Sequence, residues 1–274
     1  MRPLVSVIIP CYNDFLFIEQ AVQSAIDQTY SQKEIIVIDD GSDLRTKAVL
    51  RKIKPKIDLL ITQVNLGVIE ARNKAISQAK GQYILTLDSD DYYEPTFLEK
   101  AVGILDNNLE VGMVTCWLTI RDENGVKLRV DKPTGGSAYQ ALFQNNAPAT
   151  LLYRKVCWEQ VSGYDLNLKN GYEDWEYNIS VCKRGWGVVV LPEPLYNFRK
   201  KKISRNVQAK RHYSDIRNYV FKKHKDLLVE NIDKTIDNFF FIIDSKQNEI
   251  SKLRNSRVYK FWKSYIKPIR RKVL

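Results

Sequence analysis

The chain has 274 residues, 44% hydrophobic and 27% charged, the composition of a folded globular protein and not of a disordered or fibrous one. Its formal charge of +11 is unevenly spread: residues 199–274 hold 22 Lys+Arg and 7 Asp+Glu, whereas the first 198 hold 21 and 25, so a mildly acidic front part and a basic tail are expected to divide near Phe198. The longest uninterrupted aliphatic or aromatic run is the five residues Phe239 to Ile243, which excludes a spanning helix of roughly 20 apolar residues.

The amino end runs through Met1-Arg2-Pro3 into Val5-Ser6-Val7-Ile8-Ile9 and Pro10. That apolar stretch is too short for a secretory signal, so a cytoplasmic chain is expected. The β-branched run predicts a strand buried on both faces, closed by Pro10. Phe15, Ile18, Val22, Ala25 and Ile26 then recur at helical spacing up to Gln28. A second unit follows: strand Ile35 to Ile38, the turn cluster Asp39-Asp40-Gly41-Ser42, and a helix ending at Ile53. Asp58 to Thr62 supplies a third strand and Val68 to Ala79 a third helix, for which Lys80-Gly81 reads as a glycine C-cap. Tyr83 to Leu87 is the fourth strand, ending in Asp88-Ser89-Asp90-Asp91. Four strands alternating with three helices in about 90 residues predict an α/β class with a mostly parallel, three-layer sheet.

Beyond Pro95 the expected elements are a helix to Asn107, a strand Met113 to Ile120, a turn at Glu123-Asn124-Gly125 and a returning strand Val126 to Val130, read as an antiparallel insertion. Thr134 to Asn146 reads as a loop with a short helix. Tyr172 to Glu176 precede a helix through Cys182, stopped at Arg184-Gly185, and a last strand Val188 to Leu191 ends at Pro192. The four cysteines are widely spaced, and His212 and His224 both lie in the basic tail. Neither a zinc site nor a disulfide framework is indicated, so any metal falls to carboxylates.

In an open parallel sheet, ligands bind at the carboxyl ends of the strands. Here those ends carry Pro10-Cys11-Tyr12-Asn13, Asp39-Asp40 and Asp88-Ser89-Asp90-Asp91. Five carboxylates on one rim repel one another unless a cation or ligand donors sit among them. In an extended segment Asp88 and Asp90 face the same side, a spacing suited to Mg²⁺ or Mn²⁺ shared with substrate phosphates.

From about residue 4 to 204 the sequence resembles the inverting family-two glycosyltransferases of GT-A fold, of the bacterial surface-polysaccharide type. The resemblance rests on Val5 to Asn13, Ile36 to Ser42, Asn65-Leu66-Gly67 with Ala71-Arg72-Asn73, Leu87 to Asp91, and Gly163-Tyr164-Asp165 with Gly171 to Trp175. It implies a nucleotide-binding half over about 1–95, an acceptor half over about 96–198, and transfer of a hexose-type sugar from a nucleotide-diphosphate sugar, most often a UDP-sugar. By the same resemblance Pro10, Tyr12 and Asn13 edge the nucleoside. Tyr12 either stacks on the base or caps the sheet, and Asp40 accepts from the uracil imide while Asp39 supports the turn. Arg72 reaches base or phosphate, Asp90 is the direct metal ligand, Asp88 serves ribose or metal, and Asp91 lies nearer the sugar or behind the metal. Asp174 is the expected base and Glu173 orients the acceptor; Trp175 and Trp158 either face a sugar ring or belong to the core. Many relatives place a histidine after the last strand, where this chain has Arg199-Lys200-Lys201-Lys202. One of these basic residues is expected to neutralise the diphosphate.

In the tail, Ile232, Ile236, Phe239, Ile243, Lys246, Ile250 and Leu253 keep alternating spacings of four and three, a seam that pairs two chains or folds back on the front part. Val258, Phe261, Trp262, Tyr265, Ile266 and Ile269 among lysines and arginines predict a membrane-surface helix over 256–274. The expectation is a peripheral enzyme on the inner face of the cell membrane with a lipid-linked saccharide acceptor. A nucleic-acid or anionic-surface binding protein on an inactive fold is the rival reading, although no nucleic-acid module is present and no nucleic-acid partner is expected.

Overall fold

A computed structural model describes residues 2–201, 209–262 and 264. Contacts divide the chain into two compact units, Met1–Lys223 and His224–Leu274.

The first unit is built on one sheet with the strand order β3-β2-β1-β4-β8-β6-β9-β5 and β7 paired to β6. Strands β1 (Val5–Cys11), β2 (Lys33–Asp40), β3 (Leu59–Gln63) and β4 (Tyr83–Thr86) run parallel, joined by α1 (Ile18–Ile26), α2 (Leu44–Ile53) and α3 (Val68–Gln78). Val5, Val7 and Ile9 bury one face of β1 with Ile18, Ala21 and Val22 of α1 and with Phe97 and Ala101 of α4 (Phe97–Asn107). Ile8 points to the opposite face, which α3 covers with Ile69, Ala71, Ala75 and Ile76. Both faces are therefore dry, which is why these strands read as unbroken apolar runs. The three-layer α/β class expected from the sequence is the one observed.

Four local expectations change. Pro10 does not close β1; it is paired in register with Ile38. Leu87 N–H bonds Ile8 O, so the side of β1 where Pro10 lacks a donor faces the region beyond the end of β4 and no ladder bond is lost. Gly81 does not cap α3 in a left-handed conformation: the helix ends at Ala79 with extended backbone. Glycine is required at 81 because a Cβ there would lie 2.5 Å from Ser6 N. Strand β6 (Val111–Arg121) forms the expected hairpin with β7 (Lys127–Asp131), yet it lies inside the main sheet, antiparallel to β8 (Leu152–Arg154) and parallel to β9 (Gly187–Arg199). Strand β9 passes through both prolines and does not end at Pro192. The register jumps from Cys116↔Leu191 to Trp117↔Pro194, a bulge that takes Pro192 and Glu193 out of the ladder.

Helices α5 (Ala138–Phe143), α6 (Lys155–Gln160) and α7 (Glu173–Lys183) cover the second half, and β5 (Tyr92–Tyr93) closes the edge beside β9. The short helix expected within 134–146 is α5, started by a capping box between Ser137 and Gln140. The first compact unit continues past Phe198 to Lys223. Helix α8 (Tyr213–Lys223) belongs to the first unit through Lys223, whose Nζ lies 2.6 Å from Asp165 and 2.7 Å from Glu176, and through Tyr219 OH, 2.6 Å from Asp165. Burial opposes the charge on Asp165, but these donors bring its carboxyl down to about 2.

The second unit holds α9 (Lys225–Glu230), α10 (Ile232–Asn255) and α11 (Arg257–Phe261). The expected seam lies on α10, where Ile236, Phe239, Ile243, Ile250 and Leu253 are exposed; Phe240, Phe241 and Ile242 are exposed as well, so the apolar surface is wider than one stripe. No helix of the described residues is long and apolar enough to cross a membrane. Most of the expected surface helix, including Tyr265, Ile266 and Ile269, lies outside the described residues.

Candidate active site

The carboxyl ends of β1, β2 and β4 converge as expected, and each cluster is fixed by its own hydrogen bonds. After β1, Asn13 takes a left-handed conformation (φ 56°). Its N–H donates to Ser42 Oγ at 3.1 Å and its Oδ1 accepts from Asp43 N–H at 2.8 Å. Asn13 thus braces the first rim turn to the second, while Tyr12 beside it is 50% exposed, its ring free to meet a ligand. Asp39 holds its turn by accepting from Ser42 N–H at 2.9 Å. Asp40 is buried and accepts from Gln63 Nε2 and Leu66 N–H at 2.8 Å and from Gly67 N–H at 2.9 Å. Its carboxylate is therefore committed first to shaping the Asn65-Leu66-Gly67 loop, which launches α3 from a glycine at φ 94°.

That helix carries Arg72 inward, leaving it 2% exposed. Its Nη1 donates to Glu173 at 2.9 Å and its Nη2 to Asp88 at 2.5 Å, and its guanidinium lies 5.9 Å from the Tyr164 ring centre. One planar cation thus ties the rim after β4 to the first residue of α7, the Glu173 pair fully buried and the Asp88 pair partly exposed. The neighbouring Asn73 accepts from Trp158 Nε1 and Tyr164 N–H and donates to Tyr164 O, all within 3.0 Å. Gly163 turns against it at φ 83°, where a Cβ would lie 2.7 Å from Asn73 Oδ1.

Asp174 follows Glu173 in the first turn of α7 and is half-buried. Burial and the adjacent Glu173 charge push its carboxyl up to about 6. Asn145 Nδ2 donates to Asp174 Oδ2 at 2.9 Å and opposes that rise. Asn145 escaped the sequence reading because it lies 29 residues away in an aperiodic loop. A carboxylate with this elevated pKa, partly open to solvent, is equipped to accept a proton near neutral pH.

Two residues for which a sugar contact was one reading, Asp91 and Trp175, are turned inward. Asp91 is 1% exposed, accepting from Tyr196 OH and, at 2.6 Å, from Arg199 N–H. Burial and the charges of Asp90 and Asp88 raise its carboxyl well above the ordinary range. Its role is to clasp β9 to the β4 rim. Trp175 is 3% exposed and donates from Nε1 to Ala141 O.

The four residues Asp88-Ser89-Asp90-Asp91 do not continue as an extended strand, because Asp91 N–H bonds back to Asp88 O at 3.1 Å. Asp88 and Asp90 consequently face different cations, Asp88 toward Arg72 and Asp90 toward Lys201, whose Nζ is 2.8 Å from Asp90 Oδ2 and 2.6 Å from Asp14 Oδ1. Asp14, one residue past the motif read at the end of β1, is held on its other oxygen by Ser89 Oγ at 2.6 Å. Among the described residues no group of three His, Cys, Asp or Glu side chains is placed to hold a metal ion. Near-octahedral Mg²⁺ or Mn²⁺ would find Asp90 with one carboxylate oxygen already taken by an ammonium. These donors fit a divalent ion poorly. Among the described basic residues of 199–201, Arg199 at the end of β9 lies inside, donating to Asp90 O and Gln20, and Lys201 reaches the rim; Lys202 lies outside the described residues.

The glycosyl transferase family 2 model matches residues 6–162. A glycosyltransferase of Rickettsia prowazekii, described as uncharacterised, is 32% identical over 185 residues, 63% of this chain and 58% of its own length. The putative teichuronic acid biosynthesis glycosyltransferase TuaG of Bacillus subtilis is 42% identical over 107 residues, 38% of this chain and 42% of its own. This chain therefore spans about half the length of those relatives. Among solved structures, S. aureus TarS 1–349 in complex with UDP-GlcNAc superimposes with a TM-score of 0.62 at 22% identity, covering 74% of this chain and 60% of that one, a likeness of fold. The matched span is more than half of the chain and runs from the second residue of β1 through β4, with every carboxylate of the rim. The chain belongs to glycosyl transferase family 2 and has the GT-A fold.

Proposed function

We propose that this protein transfers a hexose-type sugar from a UDP-sugar to a hydroxyl of a saccharide acceptor, with inversion, in the synthesis of a bacterial surface polysaccharide. The observation that carries this reading is Asp174: a half-buried carboxylate raised to about 6, tied through Glu173 and Arg72 to Asp88 on the nucleotide side. Such a linkage sets the base and the donor-binding rim on one rigid frame, as a single displacement requires. Asp174 takes the proton of the acceptor hydroxyl as the acceptor oxygen attacks the anomeric carbon, and the sugar–phosphate bond breaks on the opposite side, releasing UDP. UDP is favoured because solved TarS structures hold UDP-GlcNAc and UDP. The name of the teichuronic acid relative supports a surface polymer as product.

Tyr12, Asn13 and Pro10 form the proposed base edge, with Asp40 acting through the 65–67 loop and Asp88 nearest the ribose. A lipid-linked acceptor at the inner membrane face is supported by the basic bias of the tail, and pairing of two chains by the exposed apolar residues of α10. The test is Asp174→Asn, which keeps the shape and removes the base. UDP binding should stay within about twofold while sugar transfer falls by about 10²–10⁴-fold. Near-native turnover in this variant would sink the assignment.

A further inference from the structure

Lys201 stands at the point where a family-two enzyme of this fold is expected to hold a divalent ion. Its ammonium is shared between Asp14 and Asp90 at 2.6 and 2.8 Å, and the Phe17 ring lies 5.0 Å away. An ammonium has three donors, so with two on carboxylates a third remains, and the side chain is 23% exposed.

The strand that delivers it is fixed residue by residue. Arg199 N–H is bonded to Asp91, the Arg199 guanidinium to Asp90 O and Gln20, and Lys200 N–H to Arg121 O at 2.8 Å. Lys201 therefore leaves a pinned backbone and reaches the rim along a short path. Asp91, as the clasp on β9, helps place the cation without touching a ligand. The remaining carboxylates do not compose an alternative: Asp88 is turned to Arg72, Asp91 is inside, and Asp90 has one oxygen engaged.

We propose that Lys201 is the resident cation for the diphosphate of the donor, so that nucleotide binding and charge neutralisation on the departing UDP use an ammonium fixed in the chain in the role a divalent metal has elsewhere. This rests on the donor being a nucleoside diphosphate sugar. The ammonium's third N–H is donated to a phosphate oxygen, a charge-assisted bond that strengthens as charge moves onto the leaving diphosphate. Asp14 and Asp90 hold the ammonium in place, keeping it charged and aimed.

The test is titration calorimetry of UDP against the full chain, in EDTA and in millimolar Mn²⁺, for the native protein, Lys201→Met and Lys201→Arg. Met keeps the apolar stem without the charge, and Arg keeps the charge, so a folding defect common to both is recognised by melting temperature. Native affinity should agree within about threefold between EDTA and Mn²⁺. Lys201→Met should bind at least tenfold more weakly in EDTA and recover with Mn²⁺, which gains the freed Asp14 and Asp90 oxygens, while Lys201→Arg, which keeps the charge, should bind more tightly in EDTA than Lys201→Met. Tenfold or greater tightening of the native protein by Mn²⁺, or native-like affinity of Lys201→Met in EDTA, overturns the role of Lys201 and leaves the sugar-transfer reading intact. Absence of UDP binding in every arm overturns both.

Discussion

Asp174 and Asn145 make the most quantitative statement at the scale of single residues. As the proposed base, a carboxyl raised to about 6 is in its working form above that pH and is lost as pH falls through it, so kcat/KM should decline below about pH 6. Asn145 stabilises the charged carboxylate by donating to Asp174 Oδ2. Asn145→Ala should therefore move the acidic limb upward by about one pH unit. A pH–rate profile measures this; an unmoved limb with lowered activity would make Asn145 merely structural. The residue types of the site were legible in the sequence, since the carboxylates after β2 and β4 and the Glu173-Asp174 pair stand in short motifs. Their directions were not. Asp91 and Trp175 face inward because a turn and a helix rotate them, and Lys201 meets Asp14 across 187 positions of sequence.

Among elements, the first four strands and three helices were legible because the strands are short apolar runs and the helices keep a 3.6-residue period between turn residues. Strand β9 was not, because two prolines are strong stop signals and only tertiary pairing with β6 shows that both fall at a bulge. Gly81 was misread for a related reason. A glycine after a helix is ordinarily a left-handed cap, whereas here the need is room for the Ser6 backbone. Gly81→Ala should thus destabilise by about 1–3 kcal/mol through overpacking. Thermal unfolding should show this as a Tm lower by roughly 2–10 °C, and an unchanged Tm would show that β1 yields at no cost.

For the whole molecule, charge located a basic tail but not the end of the first compact unit, because the clasp of Asp165 by Tyr219 and Lys223 is a long-range contact with no local signal. A chain ending at Lys223 should unfold cooperatively and keep UDP affinity, whereas one ending at Phe198 loses Lys201 and α8 and should lose both. The basic, aromatic stretch from Arg257 onward should be needed for sedimentation with anionic phospholipid vesicles. Equal sedimentation of the full chain and one ending at Ser256 would remove the membrane-surface role.

In the proposed function, the rim of β1, β2 and β4 binds the nucleotide of a UDP-sugar. A ligand that binds only the native state raises Tm by linkage, so the direct measurement is the melting temperature with UDP, GDP, CDP and dTDP at equal concentration. The largest rise is expected with UDP. No rise with any of the four, or a larger one with GDP, would contradict it.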